Sequence, residues 1–305
     1  MRLRPTILAT GLILTAGIIR APLEQSLTED LREEKLLSQP LEIETRKKVG
    51  QGFWAVSLGG LRTLVATVLS LRAQGSFEAL QWEALADTYD TIVQLAPHSS
   101  FYWDTGHWHM AYNAASHHQR NLELPEIRRQ AEWRKWIQRG NAFLEEGLQQ
   151  NPEDTALWRQ LGWAYSNPLK LVDYDKAAAA YRQAIATGGQ NPHVLRAEAY
   201  AMARSENQID AALHHVRALY QNPQARVPTL RCLLFALEMR ANPDREPHPL
   251  AMEIFQSPSR AYRLLRHYFS DPLSTFPMHG VARELRHLEN DLGIPKEDSV
   301  FTTQE

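Results

Sequence analysis

One stretch, residues 158–192, limits what this chain can fold into more than any other. Large and small residues recur there at helical spacing: Trp158, Leu161, Gly162 and Tyr165, then Ala177, Tyr181 and Ala184, then Asn191 and Pro192. Residues three and four apart share one helix face, so the pattern predicts two helices, each with a single apolar stripe. Trp158 and Tyr165 are expected to fill the layer between them. Gly162 and Ala177 are expected to be small where the two backbones approach. Pro192 cannot continue a helix, so it ends one unit and starts the next. Strand-like alternation is not sustained anywhere in the sequence, which points to an all-α chain.

These residues resemble a tetratricopeptide repeat: Trp158, Leu161, Gly162 and Tyr165 its first helix, Ala177, Tyr181 and Ala184 its second, Pro192 its exit. The unit from Pro152 to Pro192 is longer than the 34-residue period of that family, with the excess in the loops at 167–172 and 187–190. Degenerate copies flank it. Upstream, Gly140, Leu144, Gly147 and Pro152 repeat the second-helix spacing, and a helix over 98–118, with Tyr102 and Gly106 matching Trp158 and Gly162, supplies the first. Tyr89, Ile92, Ala96 and Pro97 end another helix. Downstream, Ala211, His215, Ala218 and Pro223 repeat the second-helix spacing. The resemblance implies a helical-hairpin solenoid over 76–223. Beyond Pro223 the period is lost, and helices over 227–240, 249–269 and 281–292 are expected as a C-terminal cap over 224–292, followed by a tail over 293–305 whose last residues, 300–305, are expected to be disordered.

The same resemblance implies a concave inner face. Its register assigns Trp103, His107 and Met110 to that face in one unit, Arg159, Trp163 and Asn167 in the next, and Arg196, Tyr200 and Arg204 in the third. Arginine beside tryptophan or tyrosine is the composition of binding surfaces for other proteins or peptides. The competing expectation is that these groups are stacked or paired within the protein.

Arg2 and Arg4 precede an uncharged apolar run at residues 6–19, closed by Arg20. That is the pattern of a signal anchor or signal peptide over 1–23. As helix the run reaches about 21 Å against roughly 30 Å of hydrocarbon. An uncleaved membrane anchor is the expected reading, with the bulk of the chain on the extracytoplasmic, periplasmic side; release by signal cleavage is the alternative. The layout resembles bacterial proteins with an anchor ahead of degenerate helical repeats. Membrane-proximal helices are expected over 24–75. A second apolar segment, 53–71, carries Arg62 near its centre, which argues against lipid. Its small residues Ala55, Gly59, Thr63 and Thr67 suggest a helix buried beneath the repeats.

Composition removes several function classes. With Cys232 as the only cysteine, an internal disulfide, a thiolate zinc site and an iron–sulfur cluster are excluded, and a buried thiol is expected. A net charge of −2 gives no bulk case for nucleic acid, and the basic stretch from Arg128 to Arg139 is expected to be a solvated helix face. Hydrolase, P-loop and dinucleotide motifs are absent, the pair Glu145 and Glu146 reads as exposed surface, and no cofactor is implied. Of the histidines His107, His109, His117 and His118, His107 and His109 point to different sides of a helix, and His109 and His117 share a face but lie about 12 Å apart, too far for one ion. The expectation is therefore a membrane-anchored scaffold or adaptor, not an enzyme. A structural subunit of an envelope complex and a metal-binding or enzymatic domain centred on 107–118 are the alternatives.

Overall fold

The computed structural model describes residues 61–302, together with Glu29. The apolar run at residues 6–19 lies outside the described residues, as does most of the membrane-proximal region. Among the described residues the chain is helical throughout, with no strand. No described helix is long and apolar enough to cross a membrane.

Among the described residues 61–302, twelve helices follow one another. They are α1 (Arg62–Glu78), α2 (Trp82–Leu95) and α3, which runs as Ser100–Trp108, passes through a π-helical segment His109–Ala114 and finishes as Ala115–Arg120. Then come α4 (Glu126–Gln150), α5 (Thr155–Ser166), α6 (Tyr174–Ala186), α7 (Pro192–Arg204), α8 (Ile209–Gln221), α9 (Pro228–Ala241), α10 (Pro247–Phe255), α11 (Pro258–Phe269) and α12 (Val281–Asp291).

The boundaries follow from side-chain chemistry. Asp154 accepts from the backbone N–H groups of Ala156 and Leu157 at the start of α5, each at 2.9 Å. Asp173 does the same for Lys176 at α6, and Asn191 for His193 and Val194 at α7, where Pro192 occupies the first turn. These caps satisfy donors that a helix start otherwise leaves unpaired.

Neighbours in sequence pack as neighbours in space. The pairs α1/α2, α3/α4, α5/α6 and α7/α8 form antiparallel hairpins, α6 lies against α7 and α4 against α5, and α3 also touches α5. In the last four helices, α9 to α12, packing also skips one element: α9 touches α11 and α10 touches α12. The core runs along the chain through Trp103, Trp136, Leu144, Leu157, Phe235 and Phe255.

Two hairpins close in the same way. A Cβ at Gly106 would fall 2.5 Å from the Phe143 ring, and one at Gly162 would fall 2.8 Å from the Tyr181 ring. Only glycine allows α3 and α5 to approach their partners across those aromatics. Leu161, Gly162, Tyr165, Ala177, Tyr181 and Ala184 are buried as the spacing requires, as are Gly140, Leu144 and Gly147. Trp158 is only half-buried; its indole N–H donates to the Pro152 carbonyl at 2.7 Å. Trp103 makes the same bond to Pro97 at 2.7 Å. Trp103, not Tyr102, is thus the counterpart of Trp158.

Several other expectations are corrected. Downstream, Ala212 and Val216 are buried on α8, whereas Ala211 and Ala218 are exposed and His215 is half-buried, a shift of one residue. The helix expected over 249–269 is two helices, because Gln256 adopts a left-handed conformation (φ 73°) and Pro258 starts a new one. The tail is docked as far as Val300, whose N–H donates to Glu289 at 2.9 Å and whose side chain is buried. The helix α1 is not buried beneath the repeats: Ala66 and Ala73 are buried, but Leu61, Leu64, Val68 and Leu71 are exposed. Cys232 is buried as expected, and burial pushes its thiol up to about 12.

Candidate functional site

An open aromatic surface lies where α3 and α5 meet. Trp108 and Tyr112 are four residues apart on α3 and stack with ring centroids 4.5 Å apart and planes 16° from parallel. Trp163 of α5 also stacks on Tyr112, at 5.3 Å and 15°. The three rings form one continuous ladder. Its two outer members are solvent-exposed, Trp108 by 45% and Trp163 by 42%, an unusual state for the residue with the most apolar surface to hide.

Charge frames the ladder. Lys170, from the loop after α5, sits 4.5 Å from the Tyr112 ring centre and donates to the Ala111 carbonyl at 3.0 Å. Burial lowers its ammonium below the ordinary lysine range. Burial likewise pushes the Tyr112 phenol up to about 12, with the Asn167 amide acting in the opposite sense. An open cleft of ≈ 470 Å³ lies beside the ladder, lined by Asp104, Thr105, Trp108, Gln160 and Trp163. Arg159 is exposed and within electrostatic reach of Asp104. The arrangement offers flat π faces, one acid and two cations.

The residues assigned to an inner face divide into three groups. Arg159, Trp163 and Asn167 belong to the surface just described. Trp103 and His107 do not, and neither does Met110: all three are inside the α3/α4 contact, with Trp103 at 2% exposure and His107 at 0%. The cause is register, since Trp103 faces its own hairpin partner, against Gly147 and the Phe143 ring. The third group, Arg196, Tyr200 and Arg204, is engaged within the protein. Arg196 is buried with Nη2 3.1 Å from His193 Nδ1. Phe276, from the segment between α11 and α12, lies edge-on to Tyr200 at 5.4 Å, stacks on Tyr268 and holds the Arg204 guanidinium 3.6 Å from its ring centre. Thr275 beside it hydrogen-bonds Tyr174.

Trp108 and Tyr112 were missed as surface residues. The signal for them was present, because an i, i+4 aromatic pair on a helix is a contact pair.

The four histidines do not converge on one point, though the His117 and His118 rings touch edge to face at 5.3 Å. His107 Nδ1–H donates to the Gly140 carbonyl at 3.1 Å, and burial lowers its pKa to about 4. His109 packs against Phe77 and Tyr89, His117 against Trp82, and His118 lies parallel to Trp136. Among the described residues no three His, Cys, Asp or Glu side chains converge to hold a metal ion. The expected solvated basic face is partly paired: Lys135 and Arg139 both reach Glu83, at 2.8 and 2.5 Å, and Arg139 also reaches Asp87 and Asp90. Glu145 is not free surface either; it accepts from the Tyr165 hydroxyl at 2.7 Å.

No protein-family model matches the chain, and no curated protein matches it.

Proposed function

We propose that this chain is a tetratricopeptide-like scaffold, held at the membrane by residues 6–19 with its helical body on the extracytoplasmic side, that grips a segment of another protein on the Trp108–Tyr112–Trp163 ladder. The single observation that carries the reading is that ladder: two tryptophans on neighbouring hairpins, left exposed and pre-stacked. Rigid aromatic side chains lose little conformational entropy on binding, and tryptophan and arginine dominate interface hot spots. Arg159 and Lys170 favour a partner segment carrying acidic as well as apolar side chains.

The test is crosslinking and pulldown from the native membrane with the wild-type chain and with Trp108→Ala/Trp163→Ala and Arg159→Ala/Trp163→Ala variants. The expected outcome is loss of the same captured partner from both variants, with thermal melts within a few degrees of wild type because the changed residues are exposed. An unchanged set of partners sinks the assignment.

One observation favours a second reading, a structural subunit of a cell-envelope complex. The apolar outer face of α1, with Leu61, Leu64, Val68 and Leu71 exposed, is what a permanent interface leaves bare in the isolated chain. Light scattering on the purified full chain discriminates: a well-behaved monomer counts against obligate assembly.

A further inference from the structure

Three helices, α3, α5 and α7, carry an aromatic residue at one shared position, nine residues after the helix cap: Trp108 after Ser99, Trp163 after Asp154 and Tyr200 after Asn191. Trp108 and Trp163 both stack on Tyr112 and are exposed. Tyr200 is the one that is covered, and its cover is the chain's own segment 271–279, which is neither helix nor strand.

That segment shows what such a position accepts. Phe276 lies edge-on to Tyr200 and offers its ring face to the Arg204 guanidinium. Thr275 hydrogen-bonds Tyr174, and the Pro277 carbonyl accepts from the Tyr268 hydroxyl at 3.1 Å. Asp271, at the start of the segment, is within electrostatic reach of Arg204. Pro272 and Pro277 limit the shapes the segment can take, which lowers the entropy lost on seating it.

The covered and the exposed positions adjoin. Tyr181 lies within electrostatic reach of both Arg159 and Arg204, and Tyr112 within reach of Tyr181. The ladder and the Phe276 contact therefore border the same side chain. The chemistry repeats across it. Arg204 follows Tyr200 by four residues and Arg159 precedes Trp163 by four, so ring and guanidinium share a helix face in each case. Arg204 is engaged by Phe276, whereas Arg159 is exposed.

Resting on the scaffold reading above and specifying its partner, we propose that the Trp108–Tyr112–Trp163 ladder with Arg159 takes an extended segment of another protein built like residues 271–277 of this chain: an aromatic residue next to proline, with an acid a few residues before it. The aromatic ring seats against Trp163 and the acid faces Arg159.

The experiment titrates the full-length chain into a fluorescein-labelled, capped peptide with the sequence of residues 270–279 and follows its anisotropy. An acidic amphipathic peptide of equal charge that folds as a helix is the control. Saturable binding of the extended peptide is expected, weakened roughly tenfold or more by Trp163→Ala, by Arg159→Ala and by Phe276→Ala within the peptide. The protein variant Phe276→Ala tells the ladder from the seat on α7. Unchanged affinity in that variant supports the ladder. Affinity that rises there and ignores Trp163→Ala means that the peptide only replaces the chain's own segment, and overturns the proposal. No saturable binding up to about 1 mM overturns it too. If the helical control alone binds, and loses binding in Trp163→Ala, the scaffold reading stands and this inference falls. If neither peptide binds and the pulldown partners are also unchanged in the ladder variants, both fall. Should Trp163→Ala fail to fold, the exposed Arg159 decides: unchanged affinity in Arg159→Ala overturns the proposal.

Discussion

A neutral imidazole fully inside the α3/α4 contact makes this fold sensitive to acid. His107 has Nδ1–H committed to the Gly140 carbonyl, while Nε2 is buried with no partner, so a second proton there would be a charge without water. Its folded-state pKa of about 4 lies below the ordinary histidine value of 6.5. Between those values the unfolded chain binds the proton and the folded chain does not, so stability is lost as pH falls from 6.5 towards 4 and is fully present above that window. The contribution reaches at most about 3 kcal/mol. Urea unfolding at pH 7 and pH 5 should show this loss, and His107→Leu should flatten the slope; an unchanged slope shows that other groups carry it. The sequence marked His107 as chemically notable but assigned it to an inner surface. Burial of a lone histidine depends on which side of its helix meets the partner, and a one-residue error in register reverses that answer.

Helix contacts in this chain are set by where glycine stands. Gly162→Ala places a methyl against the Tyr181 ring and is expected to destabilise by about 1–3 kcal/mol, as overpacking does. Gly75→Ala in α1 meets nothing within 4 Å, so helix propensity decides, and a gain of roughly 0.5–1 kcal/mol is expected. Thermal melts of the two variants should move in opposite directions; a Gly162→Ala protein as stable as wild type would show that the α5/α6 contact yields. This hairpin was legible in the sequence because Leu161, Gly162, Tyr165, Ala177, Tyr181 and Ala184 carry spacing and size together. The α3/α4 hairpin was legible only in part. Gly106 plays the role of Gly162, but the tryptophan that matches Trp158 stands at 103, because the distance from proline to tryptophan is what repeats: Pro97 to Trp103, Pro152 to Trp158. The π-helical segment His109–Ala114 then alters the face pattern of α3, and no periodicity reading anticipates it. For α10 and α11, the break is a backbone event at Gln256, a residue whose side chain gives no warning of a left-handed turn.

Across the whole molecule, the C-terminal helices are joined to the middle of the chain by one side chain in particular. Phe276 reaches back to Tyr200 and Arg204 on α7 while its neighbour Thr275 bonds Tyr174 on α6. Phe276→Ala is expected to free the segment 271–279 at a cost of about 1–3 kcal/mol in local closure. Limited proteolysis should then cut there faster than in the wild type, with the helical circular-dichroism signal kept; equal cleavage rates would mean that the segment is held elsewhere. That contact also explains why the third set of inner-face residues could not be read from the sequence: their occupant comes from a region some 70 positions away, and periodicity carries no information at that range. At the other end, α1 is joined to α2 with Ala66 and Ala73 as its buried residues and its leucines facing outward. A pull arriving from the N-terminal side meets the α1/α2 seam before it reaches the other described helix pairs. Because that seam is closed by the small side chains of Ala66 and Ala73, close backbone approach rather than large side chains would govern how readily α1 separates from the hairpins behind it.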